Sequence, residues 1–224
     1  MTSDIPVHRR RLIRAVAAGA LTALMPTGLG MASAASPNAG TKLVILGSMA
    51  GPSVGAARYQ TSHAVLVGDR TYVVDCGYGA TEQLVRAGIK LASIRDIYVT
   101  HHHPDHNIEL GTLIYFAWYA GLETPLGIYG PPPIRAITEA YLKAEKPDMD
   151  VWLKDIGHKP LGPIHVHEIS AGGPVMHDSK VSVTCAVVHH PPVVPALAYR
   201  FDTPGRRPRS RGHGSDPAAC GRCP

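Results

Sequence analysis

Four histidines and an aspartate fall within the six residues His101–His106, which read His-His-His-Pro-Asp-His and follow directly on a short strand-forming run ending at Thr100. In a loop leaving a strand, His101 and His103 lie two residues apart and can face one point. Asp105 and His106 are displaced by about one more turn and can face a second point. Imidazole and carboxylate donors at this spacing suit Zn²⁺. Two such sets suit a pair of metals about 3.5–4 Å apart, one arrangement by which proteins steady both the attacking and the leaving oxygen of a displacement. His102 falls between two candidate ligands and is expected to point away from them.

The surrounding chain reads as alternating strands and helices. Thr41–Leu46 is a β-rich run, followed by a Gly/Ser/Pro loop over 47–55. Ser62–Val67 and Tyr72–Val74 flank Gly68-Asp69-Arg70 as a hairpin. Thr81 is placed to cap a helix through Ala87, with Gly88 as its stop and Leu84 and Val85 turned to a core. Asp96–Thr100 is a strand, 108–120 a helix, 127–130 a strand, 134–143 an amphipathic helix and 151–156 a further helical turn. Strands follow at 164–169, 180–188 and 196–201. Such alternation predicts an α/β architecture. Cys76 and Cys185 sit in strand-like runs and read as small core residues. His165 and His167 alternate along a strand and read as its polar face.

The motif Thr100-His101-x-His103-x-Asp105-His106 resembles the signature of the metallo-β-lactamase superfamily of metal hydrolases. Two further segments carry the resemblance. Tyr72-Val-Val-Asp75-Cys-Gly77 is similar to the strand-turn preceding that signature, where the aspartate supports the ligands from outside. Val188-His189-His190-Pro191-Pro192, followed by Ala198-Tyr199-Arg200-Phe201, is similar to the third metal motif of the branch with the tRNA 3′-processing nucleases and arylsulfatase-like hydrolases. The match favours His190, directly before the proline pair, over His189 as ligand. The resemblance covers about residues 41–204 and implies an αββα sandwich. It also implies a first metal on His101, His103 and His190, and a second on Asp105 and His106. Asp105 would also orient the nucleophile or take its proton. The family carries two Zn²⁺; one or two are expected here. The family's bridging aspartate and last histidine have no counterpart after Pro204, so the second half of the sandwich is expected to be largely missing.

Charge separates the two ends from the middle. The chain of 224 residues carries +5, but residues 1–34 hold +3, residues 205–224 hold +4, and residues 35–204 hold −2. Arg9-Arg10-Arg11-Leu-Ile-Arg14, a mildly apolar stretch to Met31 and Ala32-Ser33-Ala34 follow the plan of a secretory signal, of twin-arginine type. Pro26 and the glycines of that stretch argue against a stable membrane anchor. The expected organisation is therefore a signal peptide over 1–34, a metallo-β-lactamase-like domain over 35–204 and a basic disordered tail over 205–224. The tail's composition points to a shifted reading frame, and its Cys220-Gly-Arg-Cys223 lacks the partner pair a metal site needs.

These readings predict a periplasmic or extracellular zinc-dependent hydrolase. It would cleave a small-molecule ester (phosphodiester, sulfate ester or lactone) by metal-activated hydroxide. The alternative is a truncated, non-catalytic remnant binding one metal at most. No nucleic-acid partner is expected, because an exported protein leaves tRNA behind and an acidic middle lacks the positive field a phosphate backbone requires.

Overall fold

The computed structural model describes residues 40–55 and 57–203. The expected signal peptide, the expected tail with Cys220 and Cys223, and the expected frame shift near residue 204 all lie outside these residues. Among the described residues no helix is long and apolar enough to cross a membrane.

Six strands form the first sheet: β1 (Lys42–Gly47), β2 (Ser62–Val67), β3 (Arg70–Cys76), β4 (Ile94–Tyr98), β5 (Leu126–Gly130) and β6 (Ile164–Glu168), hydrogen-bonded in that order. The β1–β2–β3 meander is antiparallel and β3 to β6 are parallel. The parallel strands need crossovers, supplied by α1 (Ala80–Arg86), then α2 (Pro104–Asn107) with α3 (Leu110–Tyr119), then α4 (Ile134–Val151). Alternation along β4 shows how the sheet is covered. Ile97 joins Leu84, Leu110, Leu113 and Ile114 beneath the helices, and Tyr98 faces the other way.

That other face packs on a second, antiparallel sheet of β7 (Gly173–His177), β8 (Ser182–Val188) and β9 (Ala196–Asp202). Tyr98 is fully buried between the sheets, with ring centroids 4.9 Å from Tyr129, 5.2 Å from Tyr199 and 5.1 Å from Phe201. Asp178, between β7 and β8, pairs with Arg70 and accepts the Tyr72 hydroxyl at 3.0 Å. The cover stops short of β1. Leu43 and Ile45 share a face with Val65 through the β1–β2 register, yet are 64% and 56% exposed. The fold is thus α/β, with helices, first sheet and second sheet as the layers seen among the described residues.

Several local expectations change. Thr81 does not cap α1: its hydroxyl has no partner, and the Glu109 carboxylate from the start of α3 accepts the Gly79 and Thr81 N–H groups instead. Leu84 is buried but Val85 is 58% exposed, because α1 offers the sheet a narrower stripe than expected. The helix expected at 134–143 runs on through Pro147 to Val151, then into a π-helical turn over Trp152–Ile156. Buried Ile134 and Met149 anchor its two ends, which outweighs the one hydrogen bond that a proline removes. Strand β7 was not expected, since Gly172-Gly173-Pro174 reads as a turn. It is an edge strand, where a proline's missing N–H is tolerated. Cys76 is buried as expected; Cys185 is half-buried, its thiol directed to the Ala171 carbonyl.

Candidate metal centre

The site forms where β3 and β4 end side by side. Asp75 is the one non-glycine among the described residues with positive φ, at 60°. That conformation is unfavourable for a side-chain-bearing residue, and three hydrogen bonds hold it. The buried Asp75 carboxylate accepts the Thr100 N–H at 2.7 Å, the Thr100 hydroxyl at 2.9 Å and His106 Nδ1–H at 2.7 Å. The carboxylate thus ties the exit of β3 to the histidine loop.

This network sets the imidazole protons. Thr100 gives its hydroxyl proton to Asp75, so its oxygen accepts from His101 Nδ1 at 3.0 Å. His101 then presents a bare Nε2. His101 Nε2 lies 2.9 Å from His103 Nδ1, and His190 Nε2 lies 3.3 Å from the same His103 atom. Three donor nitrogens thus fall within 4.8 Å of one another. A tetrahedral zinc about 2.0–2.1 Å from each nitrogen would hold its donors about 3.3 Å apart. The spacing and the donor chemistry fit a divalent cation.

Asp105 and His106 form the adjoining pair. With Nδ1 committed to Asp75, His106 turns Nε2 toward Asp105 Oδ2, 3.5 Å away. Asp105 Oδ2 also accepts the Gly51 N–H at 2.7 Å, which brings the Gly/Ser/Pro loop over the site. Burial, and then the charges of His106, His190 and His103, hold the His101 pKa down at about 4. Burial also pulls on His106, but its hydrogen bond to Asp75 and the nearby carboxylates outweigh it and raise its pKa.

His101 and Asp105 are buried, His103 and His106 partly so, and His190 is exposed on the turn after β8. His189 stands outside the cluster. His102 turns away, donating Nε2–H to the Pro131 carbonyl at 2.7 Å and accepting from Asn107 at 3.0 Å. His165 and His167 lie exposed on β6, with His167 stacked on Tyr129. Sequence reasoning missed Gln60, Gly51 and Glu109. Each acts through contacts distant along the chain, and no local pattern marks them. Gly77 was named only as a strand end. A Cβ there would sit 2.2 Å from the Asp105 carbonyl, so only glycine lets the two loops touch.

Comparison with known proteins gives this geometry a context. A family model described as Anti-Pycsar protein Apyc1 matches residues 41–144. Ribonuclease Z of Mycobacterium bovis (strain BCG / Pasteur 1173P2) is 33% identical over 150 residues, covering 64% of this chain and 52% of the relative. The chain spans about half the length of the curated relatives it matches. Human tRNase Z, short form, shares the fold with a TM-score of 0.59 at 20% identity, over 73% of this chain and 66% of that one. The metallo-β-lactamase fold protein YhfI from Bacillus subtilis gives 0.51 at 20%, over 72% and 58%.

These matches overturn one expectation. A small-molecule ester substrate with no nucleic-acid partner does not stand against relatives named for acting on RNA. The charge argument failed because a charge summed over 170 residues does not report the field at one cleft. The chain shares the metallo-β-lactamase fold, and its sequence is similar to the ribonuclease Z branch over about half of those relatives' length.

Proposed function

We propose that this chain is a metal-dependent phosphodiesterase whose substrate is RNA, with tRNA as the first candidate. The observation that carries the reading is the convergence of His101 Nε2, His103 Nδ1 and His190 Nε2. Similarity to ribonuclease Z and tRNase Z supports a phosphodiester substrate. His101, His103 and His190 would hold one cation, and Asp105 with His106 would contribute to a second position. The imidazole-rich donor set favours zinc. When bound, a divalent cation supplies Lewis acidity at a phosphoryl oxygen and a more acidic water. Asp75 keeps the His106 proton on Nδ1, so Nε2 stays available as a donor atom. Asp105 Oδ2 is the carboxylate oxygen placed to accept a proton at the site, and the Gly51 N–H fixes its direction.

A second reading is a metal-binding chain without catalysis. One experiment separates the two. Full-length protein is loaded with Zn²⁺ and assayed on a precursor-tRNA transcript and on bis-(p-nitrophenyl) phosphate. Cleavage that disappears with a chelator and in His103→Ala supports the phosphodiesterase. Bound zinc with neither substrate cleaved sinks that reading and leaves the second.

A further inference from the structure

Gln60 is 2% exposed, lies just before β2 and has no place among the metal-holding residues. Its side-chain amide uses both kinds of hydrogen-bonding atom. Oε1 accepts the Tyr78 N–H at 2.9 Å, while Nε2 donates to the Gly51 carbonyl at 3.2 Å and the Ser53 carbonyl at 3.3 Å. One acceptor faces one N–H and two donors face two carbonyls, so the amide orientation is fixed by chemistry. Its main-chain N–H also donates to the Tyr78 carbonyl at 3.1 Å. Gln60 thus fastens the 51–53 loop to the chain leaving β3.

The same loop delivers its Gly51 N–H to Asp105 Oδ2 at 2.7 Å. Contact is also direct: a Cβ built on Gly77 would lie 2.7 Å from Gln60 Cβ and 2.2 Å from the Asp105 carbonyl. Gln60, Gly77 and Asp105 are therefore packed together with no spare room. We propose that Gln60 is a positioning residue for the Asp105 half of the site: it holds the 51–53 loop so that Gly51 N–H fixes which way the Asp105 carboxylate points. This rests on the reading of Asp105 and His106 as metal-holding groups. It adds a residue that touches neither metal nor substrate. Supporting groups of this kind typically alter metal affinity about 10–100-fold when lost.

Glutamate is the sharpest probe, because it keeps the acceptor for Tyr78 and sets a carboxylate against the Gly51 and Ser53 carbonyls. Methionine is the uncharged control, close in length and lacking both donors. Full-length wild type, Gln60→Glu, Gln60→Met and Asp105→Asn are titrated with Co²⁺ and followed by visible absorption, with thermal melts of the metal-free proteins alongside. The expected result is that at least one Gln60 variant melts near wild type and binds the weaker cobalt about tenfold less tightly. Its tighter step should stay within about twofold, and the same Gln60 substitution added to Asp105→Asn should cause little further loss, since Gln60 acts only through Asp105. Wild-type affinity at both steps in both Gln60 variants overturns the proposal. So does an equal weakening of both steps that tracks a lowered melting temperature, because that is a general packing defect. A wild-type chain that binds no Co²⁺ refutes the metal-site reading itself, and the positioning role falls with it.

Discussion

The first sheet supplies Asp75, His101, His103, Asp105 and His106 from the ends of two adjacent strands, whereas the second sheet brings His190. The two contributions are held very differently. The first is braced by buried hydrogen bonds around Asp75 and by strands with neighbours on both sides. His190 is exposed on a turn, and its position depends on how the second sheet docks. That docking rests on Tyr98, Tyr199 and Phe201, on the Asp178 contacts, and on the Leu197 N–H donated to the Thr100 carbonyl at 2.9 Å. A tightly built half-site and a docked histidine can thus fail independently.

The largest effect should come from the braced half. Asp75→Ala leaves the Thr100 N–H, the Thr100 hydroxyl and His106 Nδ1–H without their acceptor. Buried groups stripped of a charged partner cost about 3–5 kcal/mol. Urea unfolding of the metal-free variant should show a loss of that order, together with lost metal binding. A loss under about 1 kcal/mol would mean that the network does not brace the loop.

Docking is the next target. Phe201 is half-buried against Tyr98 and Tyr72. Phe201→Ala should cost about 2–3 kcal/mol, less than truncation of a fully buried phenylalanine. The comparison is sharpened by where the metal defect falls. Affinity at the His101, His103 and His190 position should drop in this variant, although none of the three is altered. Unchanged affinity there would show that the His190 turn is held without the sheet-to-sheet contact.

The same contrast explains what could be read in advance. The braced half was legible because its candidate ligands lie within six residues after a strand, and because Asp75 stands at a strand end. Helical and strand periodicities located most elements, since burial of one face imposes them. Gln60 and Glu109 were not legible. They act on Gly51 and Tyr78, and on Gly79 and Thr81, through hydrogen bonds spanning 9 to 30 residues, which leave no periodic trace. Strand β7 was hidden by its own Gly-Gly-Pro start, which is permissible only at a sheet edge. The partner was misjudged because a sequence gives net charge but not where the charges sit around a cleft.

The smallest expected effect probes the space between the sheets through Asp96. It shares a face of β4 with Tyr98, is 6% exposed, and accepts the Tyr98 hydroxyl at 3.4 Å. Burial pushes its pKa up to about 6, against the opposing pull of Arg95. A carboxyl whose folded pKa lies above its unfolded value binds a proton more readily when folded. It costs nothing at pH values where both states are protonated, and stability falls as pH rises from about 4 to 6. A shift of this size corresponds to roughly 3 kcal/mol before screening and relaxation reduce it. Asp96→Asn removes the ionisation. The variant should be about 1–2 kcal/mol more stable than the parent at pH 7.5 and equal to it near pH 4, by urea unfolding across that range. A difference that does not change with pH would refute the assignment. Combining the two substitutions tests the docking directly. If the second sheet keeps water from Asp96, Phe201→Ala lets water in, the Asp96 pKa moves back toward its ordinary value, and the gain from Asp96→Asn at pH 7.5 shrinks. An undiminished gain would place the desolvation within the first sheet, at the close approach to Gly127, where a Cβ would sit 2.2 Å from Asp96 Oδ1.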